Sequence, residues 1–269
     1  MNHELCATIE VVLVSPRNPL NIGAAARAMA NFGVKRLTVV TPYDPSWREA
    51  RSAIEAEELM VSAREAATLS EAIADATLVL GTGTSRYRKP EQNFYLLPQV
   101  TGRVGDELER GGRVAIVFGS EKHGLTREEL SLCHALVEIP TDPGQPSMNL
   151  GQAVAVCLYE LTRGSADSIS EAREVEQMDQ PVPAAASATR VGDLERLAEL
   201  ILEVAHESRY SPEKMRSANL EDLRLMLRRW QMSPEDLRRA MGLFRRILWQ
   251  LERRRAGEEG IEEQLPKDK

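Results

Sequence analysis

The stretch Ile139–Leu150 reads IPTDPGQPSMNL and separates a predicted apolar strand, Ala135–Ile139, from a helix predicted to run to about Leu161. Its three prolines and one glycine exclude regular helix or strand. Because proline fixes φ and removes backbone donors, the carbonyls and remaining N–H groups of such a loop are available to a ligand. Ser147 and Asn149 lie where the helix begins, among its unpaired N–H groups. Alone, the stretch is more typical of a helix cap, but two other polar turns favour a ligand site.

The first of these turns follows a β-branched strand predicted over Ile9–Val14. A proline-rich segment leads into NIGAAAR, residues 21–27, where Asn21 is the predicted N-cap of a helix and Gly33 its terminator. Arg27 lies in the second turn of this helix. It is either a surface arginine or an anion clamp near the carboxyl edge of a sheet, since a buried unpaired cation would be costly.

The second of these turns and a further glycine-containing loop also follow predicted strands. A strand over Thr77–Leu80 ends in GTGTSR, where a dinucleotide fingerprint would require a third glycine at the position of Arg86. A strand over Val114–Phe118 leads to GSEKHGL, residues 119–125. With a strand at Arg36–Val40, strands and helices alternate to residue 163. This pattern predicts an α/β domain with a parallel sheet, helices on both faces and polar turns at one edge.

Composition limits the classes of function. The chain has 269 residues, a formal net charge of -7 and 42% hydrophobic residues, and its 4% aromatic content disfavours a base-stacking surface. No signal peptide and no apolar stretch long enough to span a bilayer are recognisable, so a soluble cytoplasmic protein is expected. The three cysteines are widely spaced, which predicts neither a disulfide frame nor a metal site. Cys157 is a predicted core residue, and a Cys133-His134 nucleophile is a disfavoured alternative.

The character of the chain changes after residue 163. Residues 1–163 form the predicted α/β domain, 164–190 a flexible linker, 191–255 a small all-α extension, and 256–269 an acidic disordered tail. Between Arg224 and Arg255 there are ten arginines and three acidic residues. In an acidic protein this concentration indicates either a phosphate-facing patch or a solvated helix face or dimer contact.

Three stretches, residues 21–27, 118–125 and 146–150, resemble in order and spacing the three motifs of the SpoU/TrmH class of SPOUT RNA 2′-O-methyltransferases. The resemblance covers about residues 9–163. The helical extension and the contexts of Cys133-His134 and Leu158-Tyr159-Glu160 are most similar to the TrmJ group. Membership implies a C-terminal trefoil knot in the sheet, an obligate homodimer and S-adenosylmethionine bound bent in the knot loops.

The resemblance also implies roles for individual residues. The cofactor-binding set is Thr82, Gly83, Thr84, Gly119, Ile139, Ser147 and Met148. The polar catalytic set is Asn21, Arg27, Glu121, Ser147 and Asn149. RNA binding is expected from a basic loop and from the arginine-rich helices: Arg86, Arg88, Lys89, Arg228, Arg229, Arg238, Arg239, Arg245 and Arg246.

The implied function is S-adenosylmethionine-dependent 2′-O-methylation of cytidine or uridine in the tRNA anticodon loop, at position 32. Two alternatives keep the same fold: methylation of another tRNA or rRNA site, or RNA binding without catalysis. A nucleotide-dependent oxidoreductase is a third alternative, disfavoured by the missing third glycine.

Overall fold

The computed structural model describes residues 8–84, 92–172 and 189–262, and the chain divides into two compact units, Met1–Gly192 and Asp193–Lys269. In the first unit, seven strands form one sheet in the order β3-β2-β1-β6-β4-β7-β5, and every described pair is parallel. The strands are β1 Ile9–Val14, β2 Arg36–Val40, β3 Arg64–Ala66, β4 Leu78–Thr82, β5 Asn93–Leu96, β6 Val114–Phe118 and β7 Ala135–Glu138.

The prediction of a parallel α/β sheet is confirmed, and β1, β2 and β6 have the predicted bounds. The two strands that the sequence pattern did not predict, β3 and β5, lie at opposite edges of the sheet. They read REA and NFYL and are partly exposed. An edge strand has only one neighbour and need not be fully buried, and these two short segments lack the β-branched apolar run that marks a buried parallel strand.

Helices cover both faces of the sheet, as predicted. Successive residues of β1 point alternately to opposite faces, so that Val11 and Leu13 join one apolar core while Val12 and Val14 join the other. The helices of this unit are α1 Pro19–Asn31, α2 Glu57–Ser62, α3 Leu69–Ala72, α4 Leu97–Glu109, α5 Arg127–Ser131 and α6 Leu150–Ala172.

Two predicted helix limits are wrong. Helix α1 begins at Pro19 rather than after Asn21, because the Asn18 side chain accepts the N–H of Leu20 and proline suits the first helical position. Helix α6 continues to Ala172, so the first nine residues of the predicted linker are helical. The segment TRGSADSISEA contains no proline to stop the helix, although it lacks the apolar periodicity used to predict one.

Helices α1 and α6 pack against each other on one side of the sheet. Their approach depends on Gly151, where a Cβ would lie 2.7 Å from the Cβ of Ala24. The start of α6 is thereby brought beside the start of α1, which places two of the three motif turns together.

The second unit confirms the predicted all-α extension. It contains α7 Val191–Glu207, α8 Arg216–Trp230 and α9 Pro234–Glu262, with a core formed by Leu194, Leu197, Ala198, Leu227 and Leu237. Ser233 caps α9, since its Oγ accepts the N–H of Asp236. Helix α9 continues seven residues into the segment predicted to be disordered, 256–269, because Ala256–Glu262 contains no proline. No helix within the described residues has the length and apolar content that a membrane span requires.

Candidate active site

A cavity of about 410 Å³ lies at the carboxyl edge of the sheet, among the turns that follow β4, β6 and β7. This is the edge at which ligands bind in parallel α/β sheets, and the volume is in the range of small-molecule pockets. All seven residues predicted to hold the cofactor line it: Thr82, Gly83, Thr84, Gly119, Ile139, Ser147 and Met148.

The turn after β6 is folded tightly on itself beside the cavity. The N–H of Gly124 donates to the Ser120 carbonyl over 2.8 Å, and Gly124 has a φ of 64°. A Cβ at Gly119 would lie 2.1 Å from the carbonyl carbon of Gly124 and 2.3 Å from the nitrogen of Leu125. Only glycine therefore permits this turn, which brings bare backbone to the cavity wall.

The turn after β4 is held by hydrogen bonds to its neighbouring strands. The Gly83 N–H donates to the Val137 carbonyl over 3.0 Å, and the Thr82 hydroxyl donates to the Val117 carbonyl over 3.0 Å. The Thr84 hydroxyl donates to the Glu138 carboxylate over 3.0 Å. Glu138 also lines the cavity but was not among the predicted site residues. Its signal in the sequence is a carboxylate at the end of an otherwise apolar strand, directly before the loop that opens at Ile139.

Three polar side chains join the three motif turns. Asn21 Nδ2 donates to Glu121 Oε1 over 2.9 Å, and Asn149 Nδ2 donates to Asn21 Oδ1 over 2.9 Å. The Asn149 Oδ1 in turn accepts the N–H of Gly151 at the start of α6. The structure thus brings Asn21, Glu121 and Asn149 into one hydrogen-bonded chain, called here the polar relay, although the residues lie 100 and 128 positions apart.

The Glu121 carboxylate accepts three hydrogen bonds although the residue is exposed. Its carboxylate accepts the backbone N–H of Arg17 over 3.0 Å and that of Asn18 over 3.3 Å, in addition to Asn21. Partial desolvation raises the pKa of Glu121, but these hydrogen bonds outweigh it, so the pKa lies below its ordinary value of 4.5. These hydrogen bonds indicate that Glu121 holds the turn after β6 against the turn that leads into α1.

Arg27 stands apart from the relay within one chain. It is exposed on α1, six residues after Asn21, which corresponds to about 9 Å along the axis and about 120° around it. Among the described residues it forms no ion pair or hydrogen bond with a side chain of the relay. Ser147, in contrast, lies in the cavity wall.

The predicted RNA-binding residues separate into three groups. Arg86, Arg88 and Lys89 lie outside the described residues. Arg228 is wrong as an RNA-binding residue, because its side chain is only 3% exposed, donates to the Arg224 carbonyl and lies 3.9 Å from Glu195. The others are exposed on α8 and α9: Arg229, Arg238, Arg239, Arg245 and Arg246.

The two cysteines within the described residues, Cys133 and Cys157, are both buried. Cys133 is buried against the Glu129 carbonyl, and the Nδ1 atom of His134 accepts the N–H of Val79, so the pair is not a nucleophile and base. Cys157 is a core residue as predicted, and burial raises its pKa to about 12. Within the described part of the chain, no cluster of three or more His, Cys, Asp or Glu side chains could hold a metal ion.

A cavity lined by the turns that follow β4, β6 and β7, at the carboxyl edge of a parallel sheet, has the position at which α/β proteins of this class bind ligands. Residues 8–159 match the model of the SpoU rRNA Methylase family, and the chain belongs to this family.

The names of individual relatives specify a reaction and a substrate more narrowly than the family description does. The chain is 42% identical over 156 residues to the tRNA (cytidine/uridine/adenosine-2′-O-)-methyltransferase TrmJ of Pseudomonas aeruginosa, covering 57% of this chain and 60% of that protein. It is 40% identical over 155 residues to the tRNA (cytidine-2′-O-)-methyltransferase TrmJ of Methanocaldococcus jannaschii, covering 57% and 66%. The matches thus span less than two thirds of these relatives.

The structural likeness extends further along the chain. The crystal structure of TrmJ from Z. mobilis has a TM-score of 0.73 and 26% identity, and the match covers 90% of this chain and 99% of that one. The likeness therefore includes residues beyond the family domain.

Proposed function

We propose that this protein is an S-adenosylmethionine-dependent tRNA ribose 2′-O-methyltransferase that acts in the cytoplasm on cytidine or uridine at position 32 of the anticodon loop. The observation that carries the proposal is the polar relay of Asn21, Glu121 and Asn149 at the edge of a cavity lined by all seven expected cofactor residues. Relatives at 40% and 42% identity are tRNA 2′-O-methyltransferases.

The cavity suits the chemical groups of this cofactor. Glu138 provides a carboxylate acceptor for hydroxyl or ammonium groups, and the tight turns at Gly83 and Gly119 bring backbone to the cavity wall. Leu125 and Ile139 supply apolar surface for a purine ring. When bound, S-adenosylmethionine supplies an electrophilic methyl group.

The protein must then align the ribose hydroxyl and assist the loss of its proton. General base assistance contributes typically about 10²–10⁴-fold to such a step. A charged guanidinium has only donor groups and no acceptor atom, so Arg27 cannot serve as the base in this form. We assign Arg27 to the adjacent phosphate and the developing alkoxide, with the proton leaving through that phosphate or water. Ser147 and Asn149 orient the ribose, and Glu121 fixes the turns.

Arg27 completes this site if two copies of the chain assemble. Within one chain it lies about 9 Å along α1 from Asn21 and on another side of the helix. We therefore propose a homodimer in which Arg27 of the partner subunit reaches the polar relay. The trefoil knot stays a prediction from the family.

Co-expression of Arg27→Ala and Asn149→Ala chains tests this arrangement. Mixed dimers of a shared site contain one intact site out of two, so about a quarter of the wild-type activity returns on random pairing. If Arg27 acted within its own chain, the mixture would stay as inactive as either variant alone.

The reaction itself is tested by mass spectrometry. Unmodified tRNA is incubated with the protein and S-adenosylmethionine, digested to oligonucleotides and mapped. The proposal predicts a methylated ribose at nucleotide 32. Methylation on a base, or no methylation, would contradict it, and ribose methylation elsewhere would contradict the position alone.

A further inference from the structure

The outward face of α9 carries a line of basic residues with one tryptophan among them. Its members are exposed, lie within about 100° of helical arc and extend over about 22 Å. This basic stripe consists of Arg238, Arg245, Arg246, Trp249 and Arg253. The opposite side of the helix packs into the core of the unit through Leu237, Met241 and Phe244. The stripe is therefore the solvent face of a firmly seated helix.

Trp249 holds two of these arginines. The Cζ atom of Arg246 lies 4.1 Å from the centroid of the indole ring, and that of Arg253 lies 5.2 Å from it. The two arginines are three residues before and four residues after Trp249, the spacings that make neighbours on a helix. A guanidinium against an aromatic face keeps its N–H edge available, because the contact uses its plane rather than its donors.

The charges of this cluster are not neutralised by neighbours. Arg239 pairs with Glu235 and Asp236, and Arg255 pairs with Glu207. Arg246 and Arg253, in contrast, form no ion pair with any acid in the part of the chain that the structure describes. A protein with a net charge of -7 thus presents on one exposed surface two pre-ordered guanidiniums that have no acidic partner among the described residues.

We propose that Arg246, Trp249 and Arg253 form a clamp for the RNA backbone, in which the two guanidiniums bind phosphates and Trp249 is a positioning residue that holds them. The occupant is an RNA strand because a linear array of unpaired cations complements a linear array of phosphates. This inference rests on the proposed function, since it identifies where the substrate RNA is held outside the methyl-transfer site.

The test measures tRNA affinity of the full-length protein at several salt concentrations. Arg246→Gln and Arg253→Gln should each weaken binding and lower the slope of log affinity against log salt by about 0.7–0.9, the value for one lost phosphate contact. Arg254→Gln is the matched control. Arg254 is an exposed neighbour that lies outside the stripe, so its replacement should leave the slope closer to the wild-type value.

Variants of Trp249 separate positioning from charge. Trp249→Ala removes no charge but should weaken tRNA binding about 2- to 5-fold, the size of one exposed cation–π contact. Trp249→Phe, which keeps an aromatic face, should recover part of the loss. At saturating tRNA the turnover number of these variants should equal that of wild type, with only KM raised.

The clamp would be overturned if Trp249→Ala bound tRNA as tightly as wild type, or if the two stripe arginines behaved like Arg254. Methyl transfer by the wild-type protein would then still support the proposed function. Conversely, stripe-dependent tRNA binding without any ribose methylation would support the clamp and contradict the enzyme.

Discussion

The edge of the sheet and the outward face of α9 are both polar, but they are organised differently. At the sheet edge, Asn21, Glu121 and Asn149 come from three distant segments and fix one another through single hydrogen bonds of 2.9 Å. On α9, Arg246 and Arg253 belong to one helix and are ordered by one ring. Chemistry requires atoms held at defined distances, whereas binding a polyanion requires mainly local positive charge. Substitutions at the sheet edge should therefore change rate by orders of magnitude, and substitutions on α9 should change affinity by small factors.

The largest effect is expected for Arg27. Arg27→Ala should lower kcat for tRNA methylation by about 10²–10³-fold, as the loss of one preorganised donor to a developing oxyanion does elsewhere. Arg27→Lys should be nearly as inactive, because an ammonium cannot replace the planar fork of donors. Single-turnover methylation measures both. A lysine variant that kept most of the wild-type rate would refute the assigned role.

The polar relay should come next. Asn21→Ala removes both the donor to Glu121 and the acceptor for Asn149, and should reduce single-turnover methylation by about 10–100-fold through misplacement of the turns. Asn21→Asp tests the direction of the hydrogen bond, since a carboxylate at this position would face Glu121 with like charge. If Asn21→Asp methylated tRNA as fast as wild type, the relay would have no part in alignment.

The turn after β6 predicts an effect on stability. Gly119→Ala forces a Cβ against Gly124 and Leu125 and should lower the free energy of unfolding by about 1–3 kcal/mol. Gly102→Ala is the matched control, because a Cβ there meets nothing within 4 Å and alanine favours the interior of α4. Thermal unfolding should show a lower Tm for the first variant and an equal or higher Tm for the second. If Gly119→Ala unfolded at the same Tm as wild type, the turn would accommodate a Cβ at this position without cost, which would contradict the prediction.

The smallest effect concerns the pH dependence of Glu121. Its pKa is lower in the folded protein, so the charged carboxylate contributes stability above pH 4.5, and this contribution is lost as the pH falls through the folded pKa. Glu121→Gln removes the titration. Urea unfolding between about pH 7 and about pH 3 should show a difference in stability from wild type that is constant at neutral pH and shrinks in acid. A difference independent of pH would contradict the shifted pKa.

Short motifs predicted which residues come together better than patterns of charge predicted which arginines are exposed. Residues 21–27, 118–125 and 146–150 combine glycines and polar side chains that suit few local structures. The second and third motifs line one cavity, and Asn21 joins the first motif to them by hydrogen bonds. Glu138 was not predicted, because a single acidic residue at the end of an apolar strand matches no known motif. Arg228 was wrongly assigned because helical spacing does not reveal a buried partner, here Glu195 from another helix.

Local sequence patterns also failed to predict the first residue of α1 and the edge strand β5. The N-cap of α1 is Asn18 rather than the predicted Asn21. The Asn18 side chain accepts a helix N–H, whereas the Asn21 side chain bonds to Glu121 and Asn149, which are distant in sequence. Strand β5 reads NFYL, an apolar segment too short to be recognised as a strand by itself, and it pairs with β7 at the edge of the sheet.

The central claim is that three separated turns close one cavity that binds the methyl donor. A crystal structure of the protein with S-adenosylhomocysteine tests it most directly. The account predicts the ligand in the cavity beside Gly83, Gly119 and Ile139, with Arg27 of a partner subunit facing the relay. A ligand bound elsewhere, or a pair of subunits that leaves Arg27 remote from Asn149, would contradict it.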